Sequence, residues 1–293
     1  MPSLSHWFHQ NNSWSFSRHR TFERCKRQYY YNYIAPFLQE PSPHFDIHTI
    51  KRLKEFKSRI FLQGDIIHKI LEEQIESFRK TGKMDPQGAT EKFSQKVAQN
   101  KMMASEVLIE YRHGEPVGDL FFVNMQRNGT ACLQTFFDAI WPNYQNAEYL
   151  MHEKLEKCTI NGTEVLVKVD YVCRLPEGTI VIADWKTGSD NEDFENEMQI
   201  ASYVIWAMQY FGKSPDEIRS ELVYLKTGET RPFVFFREHL LDIEEKIKAD
   251  FAEMNASYEY EDFPARSRQA ECMSCPFGSV CPDREIQRAG GTG

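Results

Sequence analysis

No apolar run in the 293 residues approaches the roughly 20 needed to cross a bilayer. The opening stretch MPSLSHWFHQNNSW has neither the basic start nor the apolar middle of a secretory leader. Both lacks predict a soluble cytoplasmic protein with no membrane partner. Basic excess is missing as well. Lys and Arg number 35 against 43 Asp and Glu, a net charge of −8, and the pI is about 5.7. A protein that passively coats nucleic acid is usually basic, so that class is disfavoured. No internal repeat is present, nor the glycine-rich phosphate loop of a helicase motor. Cysteines number only seven, and disulfides are not expected in a cytosolic chain.

What is present suits a globular protein, with 41% hydrophobic and 27% charged residues. The pattern of Phe22, Cys25, Tyr29 and Tyr33 predicts one helix over 15–34. A second helix is expected over 61–80, and mostly helix over 86–144, with breaks near Gly114 to Gly118 and at Gly129. The texture then changes. Strands are expected over 148–159, 164–174 and 179–186, joined by Asn161-Gly162 and by Pro176-Glu177-Gly178. A helix over 194–210, strands over 219–226 and 231–236, and a helix over 240–254 complete the pattern. The fold class is α/β. Four regions are expected: an N-terminal helix and loop (1–60), a helical region (61–146), an α/β core (147–260) and a cysteine-bearing tail (261–293). Two basic tracks could follow phosphates: Arg18, His19, Arg20, Arg24, Lys26 and Arg27, then Lys51, Arg52, Lys54, Lys57 and Arg59. A solvated helix face explains either one equally well.

The chemistry gathers on Lys168-Val-Asp170-Tyr and Ile182-Ala-Asp184-Trp-Lys186-Thr-Gly188. If Asp170 pairs across from Asp184, Arg174 pairs with Ile180 and residues 175–179 form the connection. The two carboxylates then stand about 5 Å apart on one face. Such neighbours repel unless a cation lies between them, and Mg²⁺ or Mn²⁺ prefers oxygen ligands. A metal there can lower the pKa of water and stabilise charge on a phosphorane-like transition state. Lys186 lies on the same side, where an ammonium can orient or deprotonate the attacking water or steady a phosphate. Alone, D-x-K is equally compatible with an exposed charged hairpin. His68 shares a helix stripe with Gly64, Leu71 and Ile75 and points inward. By itself it reads as a core histidine, and Gln199 with Tyr203 as a polar helix edge.

Taken in order, Gly64-x-x-x-His68-x-x-Leu71-Glu72, Asp170, Asp184-x-Lys186 and Gln199-x-x-x-Tyr203 resemble the motif series of RecB-like PD-(D/E)XK nucleases. The stretch from Ser15 to Cys25, followed by Tyr29, Tyr30 and Tyr31, is similar to their opening helix. The resemblance implies a restriction-endonuclease-like core, with a central mixed sheet flanked by helices, between an N-terminal helical region and a C-terminal cysteine cluster. It implies metal ligation by His68, Asp170 and Asp184, with the Trp185 carbonyl as a further ligand. Asp170, Asp184 and Lys186 are then catalytic. Gln199 and Tyr203 line the site or contact DNA, Arg18 is a candidate DNA contact, and Glu153 falls where relatives carry an acid. Relatives often have Gly where Lys168 stands here. The expected activity is hydrolysis of DNA from single-stranded or free ends. A helicase or recombination complex is the expected partner, in DNA repair or antiviral defence. The alternative is a non-catalytic DNA-binding subunit of such a complex; RNA as substrate also stays open.

Cys272-x₂-Cys275-x₅-Cys281 offers three thiolates and needs a fourth ligand. The iron–sulfur branch of the same nucleases adds one early cysteine, which implies a [4Fe–4S] cluster on Cys25, Cys272, Cys275 and Cys281. Zn²⁺ in a Cys₄ site is the alternative. Cys132, Cys158 and Cys173 read as core residues.

Overall fold

A computed structural model describes residues 12–188, 193–266 and 269–284. The first aromatic-rich segment forms two helices, α1 (Phe16–Arg24) and α2 (Lys26–Tyr33), where one was expected. Cys25 separates them with an extended backbone, φ −163° and ψ 111°. The helical repeat of aromatics survives because both helices bury them in one core: Phe22 meets Tyr29 edge-on at 5.2 Å, and Tyr29 stacks on Phe263.

α3 (Ile47–Leu53) and the long α4 (Arg59–Thr81) follow. Ser58 caps α4, and the buried Glu110 accepts from the Ser58 hydroxyl and the Arg59 amide, both at 2.9 Å. Gly82, at φ 70°, ends it in the left-handed conformation that glycine adopts without strain. α5 (Pro86–Met102) and α6 (Asp119–Thr135) pack beside it. Gly129, expected as a break, lies inside α6. A Cβ there would come within 2.0 Å of the Phe93 ring, so this glycine permits close helix contact.

The sheet has the order β1 (Glu148–His152), β4 (Tyr171–Arg174), β5 (Ile180–Lys186), β6 (Ile218–Tyr224), β7 (Thr230–Phe233). The β5–β6 pair is parallel and the other three are antiparallel, a mixed sheet. α7 (Asp193–Phe211) links β5 to β6, and α8 (Arg237–Met254) follows β7. β2 (Leu155–Ile160) and β3 (Thr163–Lys168) form a separate two-stranded ladder.

This separation corrects the two long strands expected over 148–159 and 164–174. His152 pairs with Tyr171 and Leu155 with Lys168, so one register runs through the bend, while β1 and β4 slip by one residue between Tyr149 and Met151. The hairpin bends sharply at Glu153 and, opposite it, at Val169 and Asp170. Glu153 takes φ 48°, and its amide donates to the Val169 carbonyl at 2.9 Å. Left-handed backbone at a non-glycine residue costs about 1–2 kcal/mol, and the bend places it at the acidic end of the sheet.

The two sheet faces bury different cores. Val172, Ile180 and Ile182 join the aromatics of α1 and α2 and the apolar faces of α7 and α8. Tyr171, Cys173, Val181, Ala183 and Trp185 pack with α4, α5 and α6. Cys132, Cys158 and Cys173 are buried, as expected.

Candidate active site

Alternation along β5 puts Asp184 and Lys186 on the Ile180–Ile182 face, beyond the point where apolar neighbours stop. β4 and β5 adopt the register read from the sequence: Arg174 pairs with Ile180 and Tyr171 with Ala183. Extending that ladder by one residue sets Asp170 against Asp184. Extending β1–β4 in the same way sets Glu153 against Asp170. Three carboxylates therefore form a row across three strand ends.

Around this row lies a cleft of about 750 Å³. α4 brings His68, whose Nδ1 is 3.4 Å from Asp170 Oδ1 and 3.6 Å from Glu153 Oε1. Gly64, one turn earlier, lets α4 approach the end of β5: a Cβ there would lie 3.0 Å from Thr187 Oγ1. Asp170 Oδ2 also accepts the Trp185 amide at 2.7 Å. The Trp185 ring points to the opposite core, against Phe136 and Tyr144. From α7, Gln199 accepts from Lys186 Nζ at 3.1 Å and donates to the Tyr203 hydroxyl at 2.7 Å. Tyr203 in turn donates to the Lys168 carbonyl at 3.0 Å. Lys186 Nζ lies 2.6 Å from Asp184 Oδ2, but off the hydrogen-bonding direction, so this buried oxygen has no aligned donor.

The electrostatics are those of a crowded acidic pocket. Burial penalises charge on His68, yet Asp170 and Glu153 outweigh it and hold the imidazole pKa well above its ordinary value. Burial likewise opposes ionisation of Asp170, but His68 and the Trp185 amide bring its pKa below the usual carboxylate value. Asp184 moves the other way. Burial pushes its pKa up, Lys186 pulls it down, and the neighbouring Asp170 adds to the rise. Burial among these acids also raises Tyr203 well above the phenol range.

His68, Glu153 and Asp170 each offer a donor atom, and the three atoms lie within 4.8 Å of one another. One imidazole nitrogen with carboxylate oxygens suits Mn²⁺ or Mg²⁺. Asp184 lies outside that tight group, beside Lys186. Glu153, the weakest of the sequence-based candidates, is thus one of the three closest donors. Its sequence signal was only its place on the preceding strand; the bend that turns it inward is tertiary. Arg18, by contrast, is occupied elsewhere. It donates to the Ser13 carbonyl at 2.6 Å and lies over the Tyr33 ring. Of the first basic track, only Arg20 lines the cleft, with Lys57 from the second. Ile60 and Phe61, 65% and 53% exposed, line it too.

Cys25, Cys272, Cys275 and Cys281 line a second pocket. The break between α1 and α2 falls at the first of these residues, and the Arg266 amide points at its sulfur, 3.5 Å away. Burial, with the other three thiols close by, pushes Cys275 up to about 12. Arg27, Arg266 and Arg284 line the same pocket.

Residues 13–282 match the sequence model of the PD-(D/E)XK nuclease superfamily, and the chain belongs to that family. It is also similar to two solved structures. One is a candidate exonuclease from Eubacterium rectale, 13% identical with a TM-score of 0.45, the match covering 91% of this chain and 89% of that one. The other is the protein SSO0001, 16% identical with a TM-score of 0.30, covering 64% of this chain and 82% of that one. No curated protein sequence matches the chain. Its five-stranded mixed sheet flanked by helices is the α/β architecture expected of the family. Among the described residues no helix is long and apolar enough to cross a membrane.

Proposed function

We propose that this protein is a divalent-metal-dependent deoxyribonuclease acting on single-stranded DNA or free DNA ends, with a [4Fe–4S] cluster joining its two chain ends. The observation that carries the reading is the meeting of His68, Glu153 and Asp170 donors with the Asp184–Lys186 pair in one cleft. His68, Asp170 and Asp184 are the expected metal ligands, with the Trp185 carbonyl in support, and Glu153 joins them. A bound Mg²⁺ or Mn²⁺ supplies Lewis-acid stabilisation of charge on phosphate and acidifies water. Lys186 orients the attacking water and steadies the phosphate through its ammonium, which Gln199 holds in place. Tyr203 positions Gln199 and the backbone before Asp170.

An unpaired strand suits the cleft margin, where exposed Phe61 and Ile60 offer stacking and apolar contact beside Arg20 and Lys57. For the cysteine pocket, Cys25, Cys272, Cys275 and Cys281 are the ligands. A single Zn²⁺ with bonds of 2.3 Å would draw the sulfurs to about 3.8 Å apart. Metal analysis separates the two, since the cluster brings about four irons per chain and the Cys₄ site one zinc. The protein is expected to work beside a helicase or recombination partner in the cytoplasm.

The test is anaerobic purification, metal analysis, and cleavage of end-labelled single- and double-stranded DNA with Mg²⁺ or Mn²⁺. Asp184→Asn and Lys186→Ala should each lower cleavage by about a hundredfold or more while the fold persists. Full activity in both variants refutes the catalytic assignment. Absence of cleavage in the wild type with any metal favours the non-catalytic DNA-binding subunit.

A further inference from the structure

The residue before Val169 and Asp170 is a lysine, and it enters the site. Lys168 Nζ forms an ion pair with Glu153 Oε2, while Glu153 Oε1 faces His68. The Glu153 side chain is 9% exposed and that of Lys168 is 56% exposed. Each carboxylate of the row thus has its own cationic partner: Lys168 for Glu153, His68 for Asp170, Lys186 for Asp184. Lys168 differs from the other two in reach. It ends β3 at the cleft wall, and its flexible stem can swing from Glu153 toward the cleft space.

We propose that Lys168 is a tethered cation that exchanges Glu153 for a DNA phosphate when a divalent ion enters, so that metal loading and strand binding are coupled. This rests on the reading of His68, Glu153 and Asp170 as a metal site. The charge balance explains the exchange. Without metal, the ammonium neutralises Glu153. A divalent ion among the three donors satisfies Glu153 and repels the ammonium. The freed ammonium stands in a cleft lined also by Arg20 and Lys57, where the anion to be bound is a phosphodiester. The metal and Lys168 therefore compete for Glu153 in the free protein and cooperate once DNA is present.

Two measurements on the full-length protein test this. Mn²⁺ titration by calorimetry without DNA compares wild type, Lys168→Gln and Asp170→Asn. Removing the competitor should tighten Mn²⁺ binding by roughly fivefold in Lys168→Gln, the size an exposed ion pair supports. Binding of a single-stranded oligonucleotide is then followed against salt, with Ca²⁺ or with EDTA. In Ca²⁺ the salt slope of Lys168→Gln should be shallower than wild type by about 0.7, one phosphate contact. In EDTA the two slopes should coincide. Unchanged Mn²⁺ affinity in Lys168→Gln, or an equal slope difference in both conditions, overturns the exchange. If Asp170→Asn binds Mn²⁺ as well as wild type, the metal-site reading itself fails, and that outcome is distinct from the others.

Discussion

Individual side chains at this site are placed by neighbours that differ in kind. Asp184 and Lys186 follow from strand alternation alone, whereas Asp170 depends on a backbone amide from the next strand. Losing an acid should therefore have different effects at the two positions. Asp170→Ala strands the Trp185 amide and leaves His68 facing Glu153 only, so it should lower stability of the metal-free protein as well as activity. Asp184→Asn removes charge that burial already disfavours. It should leave stability equal to or above wild type while abolishing cleavage. Urea denaturation of metal-free wild type and the two variants checks the contrast; a larger stability loss in Asp184→Asn than in Asp170→Ala refutes it. Gly129 makes a second residue-scale prediction. Gly129→Ala gains helix propensity of about 1 kcal/mol but drives a Cβ into the Phe93 ring. Overpacking of a buried contact costs about 1–3 kcal/mol, so the net expectation is a modest loss in the denaturation midpoint. Pairing it with Phe93→Leu should recover part of that loss.

At the scale of elements, the bent hairpin and the break at Cys25 serve the two sites. Both were read from the sequence as uninterrupted, the first as two straight strands and the second as one helix. Alternation in Val165, Val167 and Val169 is real, and the register through the bend is continuous. Period alone does not say where a ladder kinks. Cys25 likewise keeps helical spacing with Phe22 and Tyr29 while its own backbone is extended. Both interruptions occur at residues facing a site rather than a core. The short helical turn ending at Arg112 joins the cysteine loop through His113, whose Nδ1 bonds the Met273 carbonyl at 2.9 Å. Burial lowers the His113 pKa, against the carbonyl bond that raises it, so protonation favours the unfolded state. This contribution to stability is whole above the unfolded value of about 6.5 and is lost as pH falls below it. The wild type should lose more stability than His113→Gln on acidification through that range, as followed by thermal melting at fixed ionic strength. Parallel pH curves would show that His113 does not titrate on unfolding.

For the whole molecule, the main consequence is that α1 and α2 share one core with the segment around Phe263 and Phe277. Phe22, Tyr29 and Tyr31 pack with Phe263 and Phe277, and the four cysteines lie beside that contact. A cluster spanning Cys25 and Cys281 would close a very long loop, where cross-links constrain the unfolded state most. Oxidative loss of iron should lower the melting temperature of the wild type by several degrees. Cys25→Ala should start at the lower value and show no further drop on oxidation. Iron content and visible absorbance follow the cluster independently; a wild type that releases its iron with no change in melting refutes the clip.

The chain itself determined the order of elements, the β4–β5 register and the candidacy of Asp170, Asp184, Lys186, His68, Gln199 and Tyr203. Strand and helix periods are local, and paired acids beside a lysine carry a chemical signature at short range. Tertiary structure alone decided that Glu153 turns inward, that Arg18 is spent on Ser13 and Tyr33, that Gly129 receives a phenyl ring, and that Lys168 meets Glu153. Each of these depends on which partner arrives across space, and a backbone bend of one or two residues is enough to redirect a side chain that the local pattern sends elsewhere.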